Sequence, residues 1–137
     1  MLARTSSHWL LLGLDLFMGI VAVVCGVILS AGQAERLLQL SPGVLAGTPF
    51  GSFLIPGLLL AAAVGGSYFA AAIGLLRGHA WGVDVSLAAG VIMLGWIVGE
   101  LLLLGWVAPR FLQPFIAGYA LATIALALRA GAPAASR

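Results

Sequence analysis

Two long apolar runs that fold back on each other constrain this chain more than any other feature. They lie between Phe50 and Gly105 and meet at the segment LRGHAWG, which is too short for anything but a tight reversal. The hydrocarbon core of a bilayer is about 30 Å thick, and an apolar helix of about 20 residues crosses it. Each run is long enough, so the hairpin predicts two membrane-spanning helices.

The composition agrees with a chain whose surface faces lipid. Apolar residues make up 63% of the 137 residues and charged residues only 7%, whereas a soluble domain carries about 25% charged residues. The net charge of +2 comes from arginines scattered singly along the chain, so no basic stripe exists to follow the phosphates of a nucleic acid. A lone cysteine, Cys25, excludes an intramolecular disulfide and a cysteine-based metal site.

Two further apolar runs flank the hairpin and complete the predicted fold. The sequence predicts an all-α membrane protein, a single domain over residues 1–137 with four transmembrane helices in an up-down-up-down bundle. The predicted helices cover about residues 9–29, 54–76, 80–107 and 111–128, and the long outer connection covers 30–53. Within that connection, AERLLQL has the pattern of a short amphipathic helix that lies in the membrane interface.

The arginines predict an orientation in the membrane. Cytoplasmic loops carry an excess of basic residues. The side that holds both termini and the hairpin turn carries four arginines, Arg4, Arg77, Arg129 and Arg137, and the other side carries Arg36 and Arg110. We therefore expect both termini in the cytoplasm and the connection 30–53 outside.

Small residues recur at close spacing in three of the predicted helices. The sets are Ala62, Gly66, Ala70 and Gly74 in the second; Gly82, Ser86, Gly90, Gly95 and Gly99 in the third; and Gly19, Ala22 and Gly26, together with Asp15, in the first. Helices associate in lipid through close van der Waals approach, which small residues allow. The pattern predicts a compact bundle and offers faces for a homo-oligomer or a larger membrane complex, and it does not say which face a partner uses.

Four polar residues are expected near the cytoplasmic side of the bundle, namely Asp15, Asp84, Arg77 and His79. An ionisable group inside a membrane is costly and is usually paired or functional. One hypothesis is that Arg77 neutralises a carboxylate and fixes the register of the helices. The other is that the cluster binds a proton or a cation.

Glu100 lies near the opposite side of the membrane. Gln113 and Tyr119 of the fourth helix fall at a similar depth, as does Arg110 if it reaches inwards. On a helical wheel Glu100 and Asp84 point about 160° apart, so the two acids do not form one catalytic pair. Glu100 is either a hydrogen-bonded pin between helices or a titrating site, and the sequence leaves both open.

The sequence contains no motif for most catalytic or cofactor-binding chemistries. No HExxH, CxxC, GxSxG or P-loop pattern occurs, so we expect no metal, no nucleotide and no hydrolytic triad. His8 and His79 are expected at one membrane level, but both look interfacial, which disfavours a haem. Trp9, Trp81 and Trp106 fall near helix ends, as in an aromatic belt, while Trp96 lies deeper and either lines a pocket or fills the bundle.

Four segments carry a resemblance to a known group of proteins: PFGSFLIPGLLL, VGGSYFAAAIGLLRGHAWG, GWIVGELLLLG and LQPFIAGYALA. Together they resemble a family of small four-helix bacterial integral membrane proteins of unknown function, over roughly Thr48 to Leu128. The resemblance implies a bacterial cytoplasmic membrane location, and it implies that Glu100 and Gln113–Pro114 recur in the family. DoxX-like proteins and small multidrug transporters are similar in architecture only.

Three classes of function are compatible with this sequence. The leading one is a non-enzymatic accessory or structural component of a membrane complex, which predicts a dry, filled bundle with one exposed small-residue face. A small transporter or channel, proton-coupled through Glu100 or Asp15, predicts a water-accessible cavity at Glu100. A membrane enzyme acting on lipid or quinone predicts a lateral opening where two polar groups converge, and its catalytic groups are too few and too separated.

Overall fold

A computed structural model of the chain describes residues 6–33, 36, 43, 49, 52–104 and 112–131. Within these residues the secondary structure consists of four long helices without strands: α1 (Ser6–Ser30), α2 (Leu54–Leu76), α3 (Trp81–Leu104) and α4 (Leu112–Gly131). Each is long and apolar enough to cross a membrane. The predicted all-α bundle of four membrane helices is confirmed.

The helix bounds differ from the predicted ones at the two ends of the chain. The first helix begins at Ser6, earlier than the tryptophan expected to start it, and the fourth continues to Gly131. Arg36, in the long connection, is exposed. Most of the predicted interfacial helix AERLLQL lies outside the described residues, as do Arg4, Arg110 and Arg137.

The helices form a square in which consecutive helices are neighbours. α1 packs along α2 and α4, and α3 packs along the same two helices, so α1 and α3 are diagonal partners, as are α2 and α4. We call the end that holds the α2–α3 turn the turn end, and the opposite end the far end. The start of α1 and the end of α4 also lie at the turn end, as the up-down-up-down topology requires.

The α2–α3 turn is closed by backbone geometry. Gly78 has a φ of +73°, which glycine adopts without the steric cost that a Cβ would bring. Its N–H donates to the Leu75 carbonyl at 3.1 Å, and the His79 N–H donates to the Gly74 carbonyl at 2.9 Å. This pair of bonds is a Schellman motif, which satisfies carbonyls that the helix end would otherwise leave unpaired.

Close helix contacts are made at glycines. A Cβ on Gly26 of α1 would lie 2.6 Å from the Gly57 carbonyl oxygen of α2, and a Cβ on Gly57 would lie 2.6 Å from the Gly26 oxygen. Gly74 and Gly82 meet in the same way across the turn, and a Cβ on Gly90 would lie 2.7 Å from a side-chain carbon of α4. These positions let backbones approach as small residues do in membrane bundles.

Most of the small-residue set of α2 does not pack inside the bundle. Ala62, Gly66 and Ala70 are exposed, and only Gly74 of that set is buried. Residues four apart drift by about 40° per step around a helix of 3.6 residues per turn, so the set does not hold one face. A π-helical stretch at Leu60–Gly65 shifts the register further.

The small-residue faces of the other two helices are better predicted. In α1, Asp15, Gly19, Ala22 and Gly26 are all buried, as expected. In α3, Gly82, Ser86 and Gly90 are buried, whereas Gly95 is exposed, and a Cβ on Gly95 or Gly99 would have no neighbour within 4 Å. α3 therefore packs closely over its first half.

Candidate functional site

Five polar side chains lie in the bundle core between two apolar clusters. The cluster at the turn end contains Leu11, Leu12, Ala72, Leu75, Val83, Ala127 and Ala130, and the central cluster contains Met18, Ala22, Val64, Tyr68, Ala89, Met93 and Ala120. We call the set of Asp15, Tyr68, Ser86, Tyr119 and Thr123 the polar layer. All four helices contribute to it, and Tyr68 is shared with the central cluster.

Asp15 reaches across the diagonal of the bundle. The Ser86 hydroxyl of α3 donates a hydrogen bond to Asp15 Oδ2 of α1 at 2.5 Å. Both residues are 0% exposed. The other carboxylate oxygen, Oδ1, is buried and has no hydrogen-bond partner among the described residues.

A second hydrogen bond crosses the other diagonal. The Tyr68 hydroxyl of α2 donates to Thr123 Oγ1 of α4 at 3.1 Å, and Met93 Sδ lies 3.3 Å from the same hydroxyl. Thr123 in turn donates to the Tyr119 carbonyl at 3.0 Å. Tyr68 and Thr123 are both 0% exposed, so the bond between their side chains lies inside the bundle.

Tyr119 joins the fourth helix to the first. Its hydroxyl donates to the Leu14 carbonyl at 2.5 Å, directly beside Asp15 in sequence. Its ring lies 6.2 Å from that of Phe17 and 6.4 Å from that of Phe115. Tyr119 therefore belongs to the polar layer, and the expectation that it lies near Glu100 is wrong.

Glu100 lies towards the far end, in a less enclosed setting. The Gln113 amide donates to Glu100 Oε1 at 3.3 Å, and Trp96 also hydrogen-bonds the carboxylate. Gln113 is 2% exposed, whereas Glu100 is half-buried. The predicted approach of Gln113 to Glu100 is confirmed, and Arg110, the third expected neighbour, lies outside the described residues.

The expected cluster of Asp15, Asp84, Arg77 and His79 does not form. Asp84, Arg77 and His79 are all exposed, and His79 stacks on Trp81 with ring centroids 5.5 Å apart. Asp84 is two residues from Ser86, so it points away from the core. In the first turn of α3 it is also placed where the helix dipole favours an acid.

Several residues of the polar layer were missed from the sequence. The sequence predicts Ser86 only as a small packing residue, and no motif marks Tyr68 or Thr123. Their signal was a polar atom within an apolar span, which has to find a partner there because lipid offers none.

His8, expected at the interface, is 1% exposed and faces the core, whereas His79 does not, so the two histidines do not face one site.

The described tryptophans lie at two kinds of position, near helix ends and beside the central cluster. Trp9 and Trp81, at helix ends, are 49% and 45% exposed. Trp96 packs partly against the central cluster, so it fills the bundle in addition to bonding Glu100.

The reactive groups of the polar layer are one enclosed carboxyl group, that of Asp15, and the hydroxyl groups near it. Among the described residues, no three His, Cys, Asp or Glu side chains gather in a way that would hold a metal ion. The arrangement suits hydrogen bonding between helices and the binding or release of one unit of charge at Asp15.

Comparisons with protein-family models, with curated proteins and with solved structures find no match to this chain.

Proposed function

We propose that this protein is a non-enzymatic component of a membrane complex, located in a bacterial cytoplasmic membrane with both termini on the cytoplasmic side. The observation that carries the proposal is the way the interior is occupied. Leu11 and Leu75 near the turn end and Tyr68 in the central cluster are fully buried, and polar groups of the bundle bond from helix to helix of this same chain. The resemblance to small four-helix bacterial proteins and the arginine distribution support the location.

The separation of the acids supports a role other than catalysis. Asp15 bonds to Ser86, and Glu100 lies fourteen residues further along the same helix, about 21 Å at 1.5 Å per residue. Two carboxyl groups that share a reaction lie much closer together than this. Tyr119 is engaged by a backbone carbonyl and Gln113 by Glu100, so the polar groups serve contacts within the bundle.

A partner subunit would contact the outer surface of the bundle. Among the outward positions, the α2 residues Ala62, Gly66 and Ala70 are exposed and small, and a Cβ on Gly66 would have no neighbour within 4 Å. Small residues allow a second helix to come close in lipid. We therefore expect the partner to be another transmembrane helix that crosses α2 near Gly66.

Site-specific photocrosslinking in native membranes tests this proposal. A photoreactive amino acid is placed at Gly66 and, in separate variants, at the outward positions Ile20 of α1, Val91 of α3 and Leu121 of α4. We expect a crosslinked product of one size, containing a second membrane protein, from position 66 and not from the other three. Each of the three control side chains is more than half exposed.

A matched pair of substitutions controls for folding. Gly66→Leu and Gly95→Leu each add a side chain where the bundle leaves open space, so neither should lower the thermal stability of the purified chain. We expect Gly66→Leu to reduce recovery of the partner by about tenfold, which corresponds to about 1.4 kcal/mol, and Gly95→Leu to leave it unchanged. Recovery of the chain only as a homo-oligomer, or crosslinks only to lipid, would contradict the accessory role and favour the transporter hypothesis.

A further inference from the structure

The unpartnered oxygen of Asp15 is the interior feature that the accessory role does not use. Oδ2 accepts the hydrogen bond from Ser86, while Oδ1 is enclosed without a partner among the described residues. Buried polar atoms are nearly always satisfied, so an exception needs an explanation. A carboxylate oxygen accepts hydrogen bonds and binds cations, which limits what can satisfy it.

The charge of the surroundings limits the ligand to one positive charge. Arg77 and Arg129, on the helices that end at the turn end, are exposed, and no ion pair reaches Asp15 within the described part of the chain. One carboxylate balances one unit of charge, so a divalent cation would leave the apolar core with a net positive charge. Within the described residues the other two acids lie away from Asp15, since Asp84 is exposed and Glu100 is about 21 Å from Ser86 along α3, which leads to the same limit.

We propose that Asp15 is an internal binding site for a single monovalent cation, a proton or Na⁺, held at Oδ1 in the polar layer. On binding a proton, the carboxylate becomes a carboxylic acid with its O–H at Oδ1, and Oδ2 keeps the hydrogen bond from Ser86. The charge of the site changes from −1 to 0. The proposal goes beyond the accessory role and does not depend on it.

The groups that face Asp15 come from every helix of the bundle. They are His8 on the same stripe of α1, Tyr68 on α2, Ser86 on α3, and Tyr119 on α4, which bonds the Leu14 carbonyl. Asp15 is nine residues from Ser6 and fifteen from Ser30, about 14 Å and 22 Å along the helix. The shorter path therefore leads to the turn end, and His8 lies on it, one heptad from Asp15.

Infrared spectroscopy of the full-length protein with ¹³C-labelled aspartate carboxyl groups tests the site. The chain contains two aspartates, Asp15 and Asp84, and Asp84→Asn removes the exposed one. In that variant we expect the labelled C=O band of a protonated Asp15 to appear as the pH is lowered from about 9 to about 3, a range that runs from the highest pKa values documented for buried carboxyl groups to below that of a free aspartate. Adding Na⁺ in place of N-methylglucamine at fixed pH and ionic strength separates the two cations, because bound Na⁺ would displace the proton and remove the band.

Two further variants make the assignment independent of folding. Glu100→Gln should leave the Asp15 band and its titration unchanged. In the protonated acid Oδ2 is the C=O oxygen, and it accepts the hydrogen bond from Ser86. Ser86→Ala removes this hydrogen bond, so the C=O band should move to higher frequency. A band that stays constant over the whole pH range and in both salts, or that ignores Ser86→Ala, would overturn the proposal and make Asp15 a fixed structural group.

Discussion

The polar layer and the far end of this bundle connect different pairs of helices. In the polar layer, side chains cross both diagonals, from Asp15 to Ser86 and from Tyr68 to Thr123. Towards the far end, α1 and α2 touch through the backbones of Gly26 and Gly57, and the acid of that half, Glu100, is only half-buried. The hydrogen bonds of the polar layer connect helices that are not neighbours, whereas the glycine contacts and the bond from Gln113 to Glu100 connect adjacent ones.

The difference separates two kinds of intramembrane acid. Asp15 is completely enclosed and its partner comes from the diagonal helix, so its removal affects the centre of the bundle. Glu100 is bonded by Trp96 on its own helix and by Gln113 on the adjacent one, at a surface that lipid or a partner reaches. The role of an intramembrane acid can therefore be inferred only from its burial and its partners, since Asp15 and Glu100 look alike in the sequence.

The largest effect is expected where the diagonal bond and the apolar packing coincide. Tyr68→Ala removes the hydroxyl that bonds Thr123 and empties the volume of a fully buried ring. Truncating a buried aromatic residue costs about 3–5 kcal/mol, so we expect the free energy of unfolding, measured by reversible SDS unfolding in mixed micelles, to fall by this amount. Phe115→Ala, at a ring that is 58% exposed, is the control and should change it by less than about 1 kcal/mol.

A smaller effect is expected at the glycine contact. Gly26→Ala places a Cβ 2.6 Å from both the Gly57 oxygen and the Ala61 Cβ, so the backbones have to separate. We expect the free energy of unfolding to fall by about 1–3 kcal/mol, as in other overpacked cores, despite the better helix propensity of alanine. The matched variant Gly66→Ala has open space and should be neutral or stabilising by up to about 1 kcal/mol. Equal losses at Gly26 and Gly66 would mean that α1 and α2 do not meet at Gly26.

Much of the fold follows from the sequence because lipid imposes simple rules. The length and hydropathy of the apolar runs predict four helices, and the glycines of LRGHAWG predict the turn, since few other structures satisfy a backbone in a membrane. The buried stripe of α1 follows from helical periodicity alone. The approach of Gln113 to Glu100 follows from their equal depth on adjacent helices.

The polar layer is harder to predict because it depends on how the helices are rotated against one another. A helical wheel places Asp15 on the packing face of α1 but does not say that Ser86 on the diagonal helix reaches it. The π-helical stretch at Leu60–Gly65 leaves no trace in hydropathy, yet it changes the register of α2. Arg77 and Asp84 have opposite charges at one depth, which is why the sequence allows them to cluster with Asp15. Neither faces Asp15 in the structure, and sequence spacing alone does not reveal this.

The central claim is that Asp15 and Ser86 hold the centre of the bundle, whereas Glu100 and Gln113 are peripheral. Two double-mutant cycles measured in the same bilayer-like micelles test it most directly, one with Asp15→Ala and Ser86→Ala and one with Glu100→Ala and Gln113→Ala. The cycle isolates the pairwise energy from the cost of burying each group. We predict a coupling of about 1–1.7 kcal/mol for Asp15 with Ser86, the upper range for hydrogen bonds between membrane helices, and less than about 0.6 kcal/mol, their average, for Glu100 with Gln113. Equal couplings, or a larger one for Glu100, would contradict the account.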